Sequence, residues 1–404
     1  MIGPFRVIAV TSVLLCAARV AVAQGNGDAA EAARFDLGPL RFTPSVALTN
    51  LGFDNNVFNE VQDPKRDTTT AIGPAVNFWM KVGPSRFSGK ASGQYLYYKE
   101  YESQRSWNNS GEGRWEVPLS RLLPFVTGSY ANTRERPGFE IDSRARRRDD
   151  SVGLGTEVRL SSKTSLILGT KRWRLAFDQD ETFLCASLAA ALNRTSDAAE
   201  LKLHYKLTPL TTFAVSAEGI ADRFSRDPIR DADSIKILSG FELKPDALIS
   251  GKALVGYRRF NARNPGVPDY TGLVAAVDAT YTVSATRLAV KVSRDLDYSY
   301  EPVQPYYALT DFVVSVTERV TRAWDIVLRG GWQSLEYNQL VSATPLSDRV
   351  DRTRLYGAGV GYRVGEILRI GVDANYYQRV SDTLTQHNYE GFRLGASVSY
   401  GLPQ

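Results

Sequence analysis

The sequence predicts an all-β fold, a transmembrane antiparallel up-and-down β-barrel of about 18 strands, with 16 as the alternative count. Three observations predict it. Apolar and polar residues alternate along segment after segment, as in strands with one face in lipid and one in water. Short and long connections alternate, as short periplasmic turns and longer extracellular loops do. The composition, with Tyr 20, Phe 17, Trp 6 and Gly 32 against Met 2 and His 2, suits strands and turns better than helical domains. The stretch 325–337 states the pattern most plainly. Trp324, Ile326, Leu328, Gly330 and Trp332 fall on one side of an extended chain, and Asp325, Val327, Arg329, Gly331, Gln333 and Tyr337 on the other.

Taken in order, the chain opens with Arg6, an apolar run from Val7 to Val22 and an Ala21-Val22-Ala23 end. These read as a secretory signal peptide over 1–23, cleaved after Ala23; the run is short and broken at Arg19, which weakens a retained anchor. Cleavage would remove Arg6 and Arg19, taking the formal charge from +5 to +3, and a nearly balanced chain does not suit nucleic-acid binding. It would also leave Cys185 as the one cysteine, so no internal disulfide is expected. Residues 24–37 are a short Gly-, Ala- and Glu-rich periplasmic segment, and 38–404 form the barrel with no linker or domain break.

The first strands are expected near 41–57, 69–82, 86–100, 106–117, 122–133 and 150–161. The middle ones fall near 164–177, 198–207, 211–221, 233–243 and 248–260. The last group falls near 270–283, 286–300, 306–318, 323–337, 352–364, 368–380 and 387–401. An even count returns both ends to one side of the membrane. Short turns fall at 82–85, 161–163, 208–210, 244–246 and 284–285; longer loops fall at 59–67, 134–148, 178–196, 224–230, 261–268 and 340–348. A charge on the lipid face at mid-bilayer costs ~2–4 kcal/mol for each Lys or Arg, which decides which face looks inward. Tyr95, Tyr97, Tyr257, Tyr298, Tyr376 and Tyr400, near strand ends, suit an interfacial aromatic girdle. A soluble β-helix or propeller would show a repeated motif at fixed period, and only the polarity pattern repeats.

The segment Asp54-Asn55-Asn56-Val57-Phe58, the polar loop leading to Gly73-Pro74 and the third strand's Tyr95-Leu96-Tyr97-Tyr98 resemble the putative beta-barrel porin-2 family of bacterial outer-membrane proteins. The strand rhythm extends this resemblance over nearly the whole mature chain, whereas the motif covers only its start. The resemblance implies a single outer-membrane barrel, often associated with exopolysaccharide export, and carries over no catalytic residue.

The charges expected to face inward have both signs. They are Lys90, Glu157, Arg159, Glu200, Lys202, His204, Glu218, Lys252, Lys291, Asp295, Asp325, Arg329, Asp373 and Arg393. At ~16–18 strands a barrel is too wide for side chains alone to fill, so these residues line a wet lumen or pair across neighbouring strands as a satisfied polar interior. Gly357, Gly359 and Gly361 share that face and make backbone room there. Arg134, Arg136, Arg144, Arg146, Arg147 and Arg148 form a basic patch about an extracellular loop. It suits lipopolysaccharide phosphates or an anionic polysaccharide, or is satisfied by its own acids. The loop 178–196 is rich in helix formers; it either folds inward as a constriction or makes a surface helix, which propensity alone favours.

No catalytic residue, cofactor or metal ligand is assigned. The sequence holds no H-E-x-x-H, zinc-like cluster or phosphate-cradling glycine loop. The reading is therefore a non-enzymatic, porin-like outer-membrane barrel giving polar solutes an aqueous passage, with periplasmic export components as partners in the polymer-export version. The alternatives are a non-conducting structural or adhesive barrel, or an outer-membrane hydrolase built on His387 with Ser381, Asp382 or Glu390.

Overall fold

The computed structural model of the chain describes residues 33–245, 247–341, 349–383 and 388–401. The expected signal peptide and His387 lie outside the described residues. Among these residues, eighteen long strands close into one antiparallel barrel. They are β1 (Leu40–Asp54), β2 (Asp67–Val82), β3 (Ser85–Tyr98), β4 (Ser106–Glu116), β5 (Leu122–Glu135) and β6 (Ala145–Arg159). Then come β7 (Thr164–Phe177), β8 (Arg194–Lys206), β9 (Thr211–Phe224), β10 (Ala232–Leu243), β11 (Ile249–Ala262) and β12 (Tyr270–Val283). The last are β13 (Thr286–Tyr298), β14 (Tyr306–Arg319), β15 (Trp324–Asn338), β16 (Val350–Val364), β17 (Leu368–Ser381) and β18 (Tyr389–Tyr400). Each strand pairs with its chain neighbours, and β1 closes the ring on β18.

The polarity of a soluble protein is inverted here. Trp324, Ile326, Leu328 and Trp332 of β15 are exposed, while Asp325 and Gln333 on its other face are buried. Leu201, Leu203 and Tyr205 of β8 look outward and His204 inward. Lipid is the solvent that suits such an exterior, because each strand's backbone groups are satisfied by its neighbours and its outer side chains are apolar. Exposed Trp107, Trp115, Tyr130, Tyr257, Tyr356, Tyr362 and Tyr400 supply the aromatic girdles. Tyr298 does not join them. It is turned inward, its hydroxyl donating to Asp222 at 2.9 Å and its ring packed on Phe224 and Phe260.

Three short turns share one device. The hydroxyl oxygens of Ser161, Thr208 and Thr321 each accept backbone N–H bonds from the residues two and three positions on, fixing the turn before the next strand starts. The turn between β2 and β3 instead places Gly83 at φ +57°, ahead of Pro84, a backbone conformation that favours glycine.

The opposite end is built differently. β6 begins at Ala145, so Arg146, Arg147 and Arg148 lie on a strand and not in the loop that the sequence suggested. β8 likewise begins at Arg194, shortening the loop before it. That loop carries a short hairpin, Thr182–Phe183 with Ala186–Ser187, and one helical turn, α1 (Leu188–Leu192). The surface placement that propensity favoured is wrong. Leu188, Ala189 and Leu192 are buried with Phe183, against Ile141 of the β5–β6 loop and Tyr300 of the β13–β14 loop. Burial of this apolar face outweighs the weak local preference. The β12–β13 register ends at Ala275 and Arg294, and beyond it Leu296, Tyr298 and Tyr306 of β13 and β14 pack with Ala232, Phe260 and Val267.

Candidate functional site: the charged lumen and its mouth

The strand alternation that turns apolar side chains to lipid turns charged ones to the interior, and neighbouring strands pair them. On the β8–β13 wall, Glu200 meets Lys202 at 3.4 Å, Glu218 meets Lys236 at 2.8 Å, and His204 Nε2 lies 3.5 Å from Glu242. Asp295 accepts from Arg258 at 2.7 Å and lies 3.6 Å from Lys236, while Lys291 meets Asp278 at 3.3 Å. On the β15–β18 wall, Asp325 is clamped between Arg363 and Arg369, both at 2.7 Å. Arg329 meets Asp373 at 2.7 Å, and Arg393 meets Asp54 at 2.6 Å. Lys252 lies in register between Glu242 and Asp278. Lys90, Glu157 and Arg159 are on the inward face of β3 and β6, Arg159 at the short-turn end.

The inward glycines hold neighbouring side chains and do not widen the lumen. A Cβ on Gly361 would strike the Arg369 guanidinium, one on Gly359 the Asp373 carboxylate, and one on Gly357 the Asn375 amide. The missing side chains on β16 are therefore what lets the β17 charges lie flat against the wall.

At the mouth the loops interlock. Ser299 Oγ, on the β13–β14 loop, donates to Glu140 Oε1 of the β5–β6 loop at 2.5 Å. Arg379 of β17 reaches the Glu140 carbonyl and Asp142 Oδ2, each at 3.3 Å, and Asp351 Oδ2 at 2.8 Å. Arg349 binds Asp351 at 2.8 Å and Gln304 at 3.1 Å, and stacks over the Tyr337 ring at 4.0 Å. Arg230 adds the Ser299, Pro305 and Glu301 carbonyls, the last at 3.0 Å. Strands far apart around the ring are thus tied across the opening. Glu140 is fully enclosed, and burial pushes its carboxyl up to about 8, against the opposing pull of Arg349 and Arg379; Asp142 is raised to about 6 for the same reason.

The Asp-Asn-Asn-Val segment closes the barrel's seam. Asp54 accepts from the Asn56 N–H at 3.0 Å, from Arg393 at 2.6 Å and from the Tyr377 hydroxyl at 3.3 Å. Asn55 Oδ1 accepts from the Phe392 N–H at 2.7 Å, and the Asn56 amide donates to the Glu390 carbonyl at 2.9 Å.

The basic patch does not assemble as one site. Arg136 and Arg144 are spent on backbone carbonyls, of Val57 and of Gln104 and Arg134. Arg147 is buried on the inward face and meets Asp149 at 3.1 Å. Arg134, Arg146 and Arg148 alternate to the outward face, the first two directly opposite one another. The sequence reading missed Lys236, Arg258, Arg363, Arg369 and Arg379. All five lie inside the expected strands on their inward faces, so alternation applied to every position would have found them, whereas nothing local marks the loop residue Glu140.

A family model described as Putative beta-barrel porin 2 matches residues 31–401. Among solved structures, Pseudomonas aeruginosa OccK2 (OpdF) is similar at 11% identity and a TM-score of 0.50, covering 90% of this chain and 98% of that one. P. aeruginosa OpdO matches at 14% identity and 0.49, over 89% and 97% of the two chains. A BenF-like porin from Pseudomonas fluorescens Pf-5 matches at 11% and 0.47, over 89% and 99%. No curated protein sequence matches.

Proposed function

Because the chain belongs to the Putative beta-barrel porin 2 family, we propose that it is an outer-membrane, porin-like barrel whose charged interior passes polar solutes under a mouth held by interlocked loops. One observation carries this reading: a closed barrel with an apolar exterior and an interior lined by paired charges of both signs. Transport of this kind asks no bond-making chemistry of the protein. It asks for a sealed backbone in lipid and for fixed charges that bias what enters. His204, the one described histidine, faces Glu242 on the wall at 3.5 Å, one more ionisable pair among those that line the interior.

Reversing one lining charge tests the reading. Arg329→Glu sets a second carboxylate against Asp373, and in planar bilayers it should shift ion selectivity toward cations by several-fold. Unchanged selectivity in a conducting barrel would place the ion path elsewhere. Export of an exopolysaccharide, with delivery by an N-terminal signal peptide and periplasmic partners, is the finer form of the proposal and rests on the family resemblance. The cross-mouth ties favour, as a second reading, a barrel that stays shut and serves a structural role. Absence of any current in inserted barrels, even with the mouth loops shortened, would decide for it.

A further inference from the structure

On the outward face of β5–β8, just above the lipid-exposed side chains Tyr130, Val152, Leu154 and Leu168, the strand register gathers Arg134, Arg146, Arg148, Arg172 and Arg174. The outward carboxylates on the same strands are Asp150, which takes Arg148 at 2.9 Å, and Asp197, which takes Arg172 at 2.6 Å. Glu181 is occupied from beneath by the Arg146 backbone N–H, at 3.0 Å. Among the described residues no carboxylate forms an ion pair with Arg134, Arg146 or Arg174. Arg134 stands directly opposite Arg146 across the strand pair, and the acceptors they reach are neutral, the Ser103 carbonyl at 2.7 Å and Asn132 Oδ1 at 3.1 Å, so the unfavourable pairing of like charges is not neutralised. Much of the remaining outward rim is balanced: Arg294 meets Glu336 at 2.9 Å and Arg352 meets Asp382 at 2.9 Å.

We propose that this face binds the phosphorylated headgroup of the outer-leaflet glycolipid, lipopolysaccharide. Guanidinium forks match phosphate oxygens two at a time, and they are more weakly hydrated than ammonium groups. The position decides between lipid and polymer. These side chains point away from the lumen, so a polymer passing through the barrel would not meet them, whereas a lipid whose acyl chains lie against Val152 and Leu154 would bring its phosphates to their level. The Arg148 guanidinium already lies 5.2 Å over the Tyr130 ring, which holds it at that boundary. The inference rests on the outer-membrane placement proposed above.

The test loads the folded, full mature barrel with lipopolysaccharide or with the same lipid after enzymatic removal of its phosphates, and reads bound lipid by native mass spectrometry. The chain should retain the phosphorylated form about tenfold better, a preference on the scale of one or two charge-assisted contacts. Arg146→Gln with Arg148→Gln and Arg174→Gln should lose that preference, while the corresponding lysine triple variant keeps part of it. Equal retention of the two lipids by the intact chain overturns the proposal, whether or not the variants fold. Displacement of the lipid by a soluble anionic polysaccharide at matched charge also overturns it, in favour of a polymer. Single-channel recording on the same sample separates the two readings: a folded barrel that enters no bilayer removes the membrane placement itself.

Discussion

Glu140 is a titratable side chain fully enclosed where the mouth loops interlock, and its protonation is expected to couple to their closure. Its carboxyl is enclosed by Ser299, Arg349, Arg379, Tyr300, Tyr337 and Asp297, and the loss of water outweighs the two cations. A carboxyl raised from 4.5 to about 8 by closure is protonated in the closed state and ionised once the loop is released. The closed state therefore binds the extra proton. Its stabilisation is fully present below about pH 4.5 and is lost as pH rises through about 8. Asp142 acts in the same direction over the lower window, from 3.8 to about 6. Open probability in bilayers should rise between pH 6 and 8, where Asp142 has already titrated, and Glu140→Gln should flatten that rise while still accepting the Ser299 hydroxyl. A flat profile in the intact chain would remove Glu140 from the closure. None of this was legible in the sequence, where Glu140 is one acid in a polar loop and its surroundings come from three distant segments.

Strands were legible because each is specified locally, by alternation and by its turn. All eighteen expected segments have an observed strand; β1 stops at Asp54, short of the expected Val57, and the longest additions sit at the loop-side ends of β6, β8 and β9. There a strand runs past the membrane, both faces become polar and the periodic signal fades. The Asp54–Val57 segment was legible as a motif but not as a device. Its partners Tyr377, Glu390, Phe392 and Arg393 lie at the other end of the chain, and only closure of the ring brings them together. Asp54→Ala should remove three contacts at the seam and leave Arg393 without its carboxylate. An exposed ion pair is worth ~0–1 kcal/mol and a fully buried one ~3–5 kcal/mol when broken, so this half-enclosed pair should cost about 2–3 kcal/mol. Heat-modifiability on gels, which separates folded barrel from unfolded chain, measures it. An unchanged unfolding temperature would assign the motif a role other than seam closure.

At the scale of the whole molecule, the apolar exterior and charged interior were readable from the strands, and the ties between the mouth loops were not. Facing charges could be listed from alternation, but Asp325 between Arg363 and Arg369, or Asp295 between Arg258 and Lys236, requires the register of three strands or more. The loop before β8 shows the same limit. Its helix formers were visible, whereas its burial depends on Ile141 and Tyr300, which the chain supplies from elsewhere. A passage narrowed by interlocked loops is the form of the porin-like barrel proposed here. The most direct measurement is single-channel conductance of the refolded mature chain beside a variant lacking residues 184–191, which takes away Leu188 and Ala189 from the buried cluster. The deletion should raise conductance or open time several-fold while the barrel stays heat-modifiable. Equal conductance in the two proteins, both folded and inserted, would contradict a constriction at the mouth.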